Sequence, residues 1–419
     1  MEKKIKLLAI LMVTIVLAAS IVGVIILSGA AKGKTYTNVS SVRLQVFGNA
    51  NEDDTIDQRD IDFISEVIAG DRSASNLTDA NQDGVIDQKD IDQVEAIIDH
   101  EETRLYYVDI DGYNASVHYP VQTMIAIYTK YVEVVRVLNA TDMIIGVDDS
   151  VGTYKTFFPT LTSLPSVGNR FTPDVEKILA IDPDIYFTGT RNNYDSALET
   201  KLSANGTDID VVRLPTWEYG KTTQGLLTLA YILGKEERAY EYLEWHDSLL
   251  KSITDKIATI PTEDRVTVLL DSVGNKARST GSGDYENSQI AGAINIGGEL
   301  SGGIYPVYDV EWVIEKNPDF IIGLITAGYN GNLTDLQARY DVLAAQFNAT
   351  DAVKNGNLHI MAFDIMNGAS YLVSIAYQAK WYYPDLFADL DPQKIHQEYL
   401  DTFCGGIDLD VSTLGGFVL

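Results

Sequence analysis

The stretch "TPDVEKILAIDPDIYF" (Thr172–Phe187) has a near copy 135 residues later, "VYDVEWVIEKNPDFII" (Val307–Ile322). Asp174, Val175, Glu176, Pro183 and Asp184 of the first recur as Asp309, Val310, Glu311, Pro318 and Asp319 of the second. Each copy reads as a surface helix carrying the Glu, ended by a Pro-Asp turn and followed by a buried strand. A unit that occurs twice in this order predicts two similar α/β lobes.

Around the two copies, short apolar runs alternate with helical patterns. The runs are "VVRVL" (Val134–Leu138), "MIIGV" (Met143–Val147), "IYFTG" (Ile185–Gly189) and "DVVRLP" (Asp210–Pro215). After a gap come "RVTVLLDSV" (Arg265–Val273), "FIIGLIT" (Phe320–Thr326) and "LHIMAF" (Leu358–Phe363). Such alternation implies parallel sheets with helices on both faces. Between the sets, Thr222–Ile260 reads as one long helix with Gly234 as its weak point. The expected architecture is therefore α/β. A first lobe over 105–220 and a second over 261–419 are joined by one long helix within 221–260. Ligands of open parallel sheets bind at the carboxyl ends of the strands, here facing a cleft between the lobes.

The formal net charge of −29 excludes nucleic-acid binding, which needs a basic footprint. About half of it falls in residues 49–102, which hold 17 Asp/Glu against three Lys/Arg. There "NANEDDTIDQRDIDFI" (Asn49–Ile64) repeats as "DANQDGVIDQKDIDQV" (Asp79–Val94). Side-chain oxygens occupy loop positions 1, 3, 5, 9 and 12: Asn49, Asn51, Asp53, Asp57 and Asp60, then Asp79, Asn81, Asp83, Asp87 and Asp90. Thr55 and Val85 stand where a calcium loop offers a backbone carbonyl, and the sharp turn before it has Asp54 in one copy and Gly84 in the other. Two ions are expected, the first bound more weakly. Two such loop-helix units resemble a dockerin domain, a small all-α calcium-loop domain over residues 43–102. That resemblance implies either a cohesin partner or a calcium-stabilised spacer.

At the amino terminus, Lys3, Lys4 and Lys6 precede an uncharged run from Leu7 to Ala31. Residues 1–34 are expected to be a membrane-spanning anchor, with a cleaved signal segment and secretion as the alternative. Seven N-x-S/T sequons, at Asn38, Asn76, Asn114, Asn139, Asn205, Asn332 and Asn348, fit a glycosylated archaeal surface protein. Cys404 is the only cysteine, so no disulfide forms within the chain.

Four stretches carry a further resemblance: "LNATDMIIGVDDS" (Leu138–Ser150), "LPSVGNRFTPDVEKILAIDPDIYFTG" (Leu164–Gly189), "AINIGGELSGGIYPVYDVEWVIEKNPDFIIGL" (Ala293–Leu324) and "AVKNGNLHIMAFDIMNGASYLVSIAYQAKWYYPDLFADLDP" (Ala352–Pro392). Residues 105–419 resemble the substrate-binding protein of an ABC importer for iron complexes and cobalamin, of the helical-backbone class. The resemblance implies an iron- or cobalt-containing cargo, with an ABC permease and its ATPase as partners. It also implies that Glu176 and Glu311 dock onto basic permease residues.

Loops after the strands should line the cleft. They offer Tyr119, Asp149, Tyr154, Lys155, Asn169, Arg170, Phe171, Arg191, Trp217 and Tyr219 from the first lobe. The second adds Ser272, Asp284, Tyr285, Tyr329, Asp364 and Tyr371. Aromatic faces with a few cations suit a large anionic or metal-bearing chelate. A directly bound metal would want three His and a carboxylate, and only His118, His246, His359 and His396 lie in this part of the chain. The chain has no GxSxG, HExxH or GxxxxGK[ST] motif, and the Gly-rich "GSGDYEN" (Gly281–Asn287) fits no nucleotide fingerprint, so no enzyme is expected. The alternative to transport is a surface interaction protein. Its dockerin-like part would dock a cohesin partner and its two lobes would form a recognition head.

Overall fold

The computed structural model describes residues 43–189, 193–217 and 220–419. The apolar run Leu7–Ala31 and Asn38 lie outside them. Among the described residues no helix is long and apolar enough to cross a membrane.

The acidic repeat forms two loop-helix units, with helices α1 (Gln58–Ala69) and α2 (Gln88–Ile98). Both start the same way. Asp57 and Asp87 cap the free N–H groups of the first turn, and Asp60 and Asp90 return the bond to the cap backbone. Ile64, Ile91, Val94 and Ile97 are buried. The module does not end at a linker. Phe47 N–H donates to Tyr106 O at 2.9 Å and Val108 N–H to Gln45 O at 2.8 Å. Residues 45–47 thereby flank the hairpin of β1 (Thr103–Val108) and β2 (Asn114–Tyr119). One continuous apolar cluster runs from Leu44 through the module into both lobes.

The first lobe is a parallel sheet of β3 (Met124–Ala126), β4 (Ile144–Val147), β5 (Ile185–Thr188) and β6 (Asp210–Arg213), in the order β4-β3-β5-β6. Here the sequence reading needs a correction. "VVRVL" is not a strand but the end of helix α3 (Thr129–Val137), and the central strand is the short run before it. A brief apolar run that is buried all round has the same pattern in either state. The copy beginning at Thr172 forms helix α4 (Val175–Ile181).

The expected single linking helix is two helices, α5 (Thr222–Leu233) and α6 (Glu236–Ile257). They part at Gly234, whose φ of 61° only glycine adopts at little cost. The second lobe follows, with β7 (Thr267–Ser272), β8 (Lys276–Ala277), β9 (Ile294–Asn295), helix α7 (Val310–Lys316), β10 (Phe320–Ile325) and β11 (Leu358–Ala362). The order is β8-β7-β10-β11, with β9 also on β7; β8 alone is antiparallel. Helices α8 (Tyr371–Tyr382) and α9 (Pro392–Phe403) complete the chain's helical back.

The repeated Pro-Asp explains itself in the fold. Each helix ends on a left-handed residue, Asp182 (φ 52°) or Asn317 (φ 45°). The Asp184 carboxylate then accepts from the N–H of Gln122 (2.7 Å) and Thr123 (2.8 Å), just ahead of β3. Asp319 accepts from Thr267 N–H at 2.7 Å and from its hydroxyl at 2.8 Å, at the start of β7. In both lobes the Asp thus pins the neighbouring strand in register.

The lobes are stitched together at their base. Tyr399 donates to Glu133 at 2.7 Å, Tyr242 donates to Ala369 O at 2.7 Å, and Phe157 stacks on Tyr329 with centroids 3.9 Å apart. These buried contacts tie the first lobe and the linking helix to the second lobe.

Candidate functional site

Between the carboxyl ends of the two sheets lies a cleft of about 660 Å³. On its first-lobe side the chain leaves β3 through Tyr128, held at φ 61°, directly into α3. That turn puts Tyr128 and Lys130 on the cleft wall. Arg170 lies across the Tyr128 ring, 3.9 Å from its centroid, and 4.5 Å from that of Phe171. It makes no ion pair among the described residues.

A second guanidinium comes from the opposite lobe. Arg278, nearly buried, sits 4.5 Å from the Tyr305 ring centroid and 4.7 Å from that of Phe363. Its Nε approaches Asp284 at 3.2 Å as an ion pair. The angle makes no hydrogen bond, so this buried N–H is unsatisfied among the described residues. Burial raises the Asp284 carboxyl to about 6, with Arg278 opposing the shift and Glu286 adding to it.

The floor is a network across the lobes. Lys130 Nζ donates to Glu133 at 2.8 Å and to the Asp364 carbonyl. The Asp364 carboxylate accepts from Tyr154 OH and from Tyr329 N–H, each at 3.0 Å. Burial opposes the charge on Lys130, but Glu133 and Asp364 outweigh it and raise the ammonium above its usual range. Lys130 is therefore a neutralised floor group, and the walls carry two stacked guanidiniums, Arg170 and the Asp284-paired Arg278.

Of the residues expected in the cleft, the structure brings together Tyr154, Arg170, Trp217, Asp284, Asp364 and Tyr371. Tyr119 is buried on the hairpin with its hydroxyl against His100, because β2 feeds the module and not the cleft. Tyr329 is buried between Phe157 and Phe417, a core residue whose backbone alone serves the floor. Asp149 accepts from the Ser166 hydroxyl at 2.6 Å, and the Asn169 side chain accepts from Phe171 N–H at 2.9 Å, so both are engaged outside the cleft. Lys155 is exposed outside the cleft, and Ser272 ends β7 away from it. Phe171 reaches the site only as the platform under Arg170, and Tyr285 packs against Gly298. Arg191 and Tyr219 lie outside the described residues. Arg278, Tyr128, Tyr305 and Phe363 were not anticipated. Arg278 had a signal: a cation three residues before the glycine-rich "GSGDYEN" and shortly after an apolar strand.

The histidines do not converge. His118 of the hairpin lies against Asp210 of β6, and His359 stacks on Trp381 with centroids 4.1 Å apart. Burial drives His396 down to about 3. Among the described residues, those of the acidic loops included, no three His, Cys, Asp or Glu side chains are already arranged around a metal position.

Glu176 and Glu311 stand exposed in the first turns of α4 and α7, one on each lobe.

The acidic loops are organised by their own residues. Asn51 and Asp53 accept from the N–H two residues on, as do Asn81 and Asp83. Glu52 and Gln82 share a left-handed turn, with φ of 58° and 57°. Asn49 Oδ1 and Asp79 Oδ1, the first oxygen of each loop, are buried with no hydrogen-bond partner among the described residues. Leaving a carbonyl or carboxylate oxygen so costs about 1–3 kcal/mol unless something else meets it. A cation in each loop would. The loops differ in one respect. Arg59 spans Asp53 and Asp57, bonding the latter at 2.9 Å, whereas in the second loop Lys89 touches only Asp83, at 3.0 Å.

Residues 124–364 match the periplasmic binding protein family, and the chain belongs to it. It is a solute-binding component of an ABC transporter. No curated protein matches the chain. Solved structures share its fold. FepB, a TroA-like periplasmic binding protein of Veillonella parvula, is 20% identical over 75% of this chain and 99% of its own, with a TM-score of 0.62. Molybdate-bound MolA of Haemophilus influenzae is 17% identical over 73% and 99%, with a TM-score of 0.61. CeuE of Helicobacter pylori, in a nickel–histidine complex, is 16% identical over 74% and 98%, with a TM-score of 0.58.

Proposed function

We propose that the chain captures an anionic, oxygen-rich metal chelate, such as a ferric siderophore or haem, at the outer face of the cell membrane. It then passes this cargo to a permease that docks on Glu176 and Glu311. The observation that carries the reading is the pair Arg170 and Arg278. They come from opposite lobes, both lie on aromatic rings, and one has a buried N–H still unsatisfied. Stacked guanidinium forks suit planar anionic oxygen groups, and the flanking rings suit a large ligand. A corrinoid would use the rings but not the charge. Titration of the protein lacking residues 1–42, followed by Trp217 fluorescence at the cleft rim, separates these. Ferric catecholate siderophore, ferric hydroxamate siderophore, haem, cobalamin and molybdate are the ligands to compare. Binding of cobalamin alone would overturn the reading.

The same titration has a pH arm. Above about pH 6 the ionised Asp284 neutralises Arg278; below it the carboxyl is protonated and the guanidinium is released to the ligand. Affinity for an anion therefore rises as pH falls through 6. About tenfold between pH 8 and pH 5 is expected, the change given by one pKa unit of differential interaction. Asp284→Asn should hold affinity near the low-pH level at every pH. A flat profile in the unmodified protein contradicts the assignment of Asp284.

The dockerin-like repeat is assigned two calcium ions, through Asn49, Asn51, Asp53, Thr55, Asp57 and Asp60, and Asp79, Asn81, Asp83, Val85, Asp87 and Asp90. The two buried unpartnered oxygens at the first positions support this. Calorimetry of the protein lacking residues 1–42 should show two sites. The first is the weaker, because calcium must displace Arg59 from two carboxylates. Asp83→Ala should remove the tighter site and Asp53→Ala the weaker one. Free calcium a hundredfold above Kd should stabilise the fold by about 2.7 kcal/mol per site. Equal melting in calcium and in chelator contradicts the assignment.

A further inference from the structure

The first acidic loop is built partly by the linking helices. Tyr240 OH on α6 donates to Asp54 O at 3.0 Å, and Ile56 N–H donates to Tyr231 OH on α5 at 2.8 Å. The two hydroxyls meet each other at 2.8 Å. Between these two bonds lies Thr55, whose carbonyl is the loop's backbone ligand. The tyrosines therefore set the peptide that calcium would bind.

From the same loop a chain of polar contacts leads to the cleft. The Asp54 carboxylate accepts from the N–H of Arg43 at 2.6 Å and of Leu44 at 2.8 Å. The Arg43 guanidinium, almost wholly buried, reaches Asp247 Oδ2 at 3.1 Å. Asp247 Oδ1 lies 2.9 Å from Nδ1 of buried His246, and His246 Nε2 lies 2.7 Å from Tyr371 OH in the cleft wall. A neutral imidazole has one N–H. With that proton on Nδ1 facing the carboxylate, Nε2 accepts, and the hydroxyl proton of Tyr371 is turned away from the cleft.

We infer that calcium in the first loop positions Tyr371 through Arg43, Asp247 and His246, so that calcium binding and cleft binding are coupled. This rests on the calcium reading of the loop and on the cleft as the ligand site. The switch has two states. In one, Arg59 spans Asp53 and Asp57. In the other, calcium takes those carboxylates, draws in the Thr55 carbonyl and shifts Asp54, to which Arg43 is bonded. His246 is the positioning residue of the relay. Coupling of this kind is reciprocal: whatever factor calcium applies to ligand affinity, the ligand applies to calcium affinity. It also gives the module a role beyond that of a spacer, since its first loop is committed to the binding domain.

The test places 3-fluorotyrosine at position 371 alone, in the protein lacking residues 1–42, and follows its fluorine resonance during calcium titration. Only calcium is added, so the result does not depend on which chelate the cleft takes. The resonance should shift and saturate together with the first loop. Asp53→Ala should abolish the shift. His246→Phe should also abolish it while leaving calcium affinity within twofold; if that variant fails to fold, Asp247→Ala serves, being partly exposed. Two calcium ions bound with no shift overturns the coupling and leaves the loop reading standing. A shift that persists without His246 or Asp247 overturns the relay. No calcium bound at all overturns both the loop reading and the coupling.

Discussion

Replacing Arg170 and Arg278 together by alanine should weaken binding of an anionic chelate by about a hundred- to ten-thousandfold. Each guanidinium offers a charge-assisted hydrogen bond of about 1.5–3 kcal/mol, and tenfold in affinity is about 1.4 kcal/mol. The loss should be unequal between the single variants. Arg170 makes no ion pair among the described residues, so Arg170→Ala removes its stacking on Tyr128 and Phe171 but strands no counter-charge. Arg278→Ala also strips the buried Asp284 of its counter-charge, and that carboxyl would take up a proton to remain buried. Lysine at either position keeps the charge but loses the fork and the stacking, and should recover only part of the affinity. Fluorescence titration of the unmodified protein and these variants decides the matter. Unchanged affinity in the double variant would remove the arginine pair from the site.

Reversing both carboxylates proposed to dock, Glu176→Lys with Glu311→Lys, should abolish uptake in cells while leaving the affinity of the isolated protein within twofold. Both residues are exposed on first turns and neither lines the cleft, so folding and capture lose nothing. Two carboxylates held apart on rigid lobes give steering and register to a basic partner, and reversal makes each contact a like-charge repulsion of several kcal/mol. One reversal alone should leave partial uptake. The buried seam of Lys130, Asp364, Glu133 and Tyr399 joins the two lobes that carry these glutamates. Wild-type uptake by the double variant would contradict the docking role.

Some of this was visible in the order of residues. The duplicated helix, Pro-Asp turn and strand is legible because its signals are local: apolar spacing, a chain-stopping proline, and an Asp beside it. The two acidic loop-helix units are legible for the same reason, since each repeats within sixteen consecutive residues. The break at Gly234 could be suspected, but whether one helix or two results depends on the left-handed turn actually made there. The strand Met124–Ala126 was missed because three residues carry too little pattern to compete with the apolar helix that follows. That miss hid Tyr128, which leaves the strand on the cleft side.

What the chain's order determined by itself is therefore the class of fold, the two-fold repetition, the repeated acidic loop-helix units and the paired surface glutamates, each set by chemistry within one short segment. The tertiary structure alone decided which aromatic and charged residues meet. Tyr119 and Tyr329 look no different in sequence from Tyr154 and Tyr371, yet the first pair is buried in the hairpin and the core and the second pair lines the cleft. Arg170 and Arg278 become a pair only because parallel sheets of two lobes end at the same gap. The module's attachment to α5 and α6 is likewise a matter of packing. A hydroxyl on Tyr240 or an imidazole at His246 acquires its partner from segments nearly two hundred or more than a hundred residues away, and no local pattern records so distant a contact.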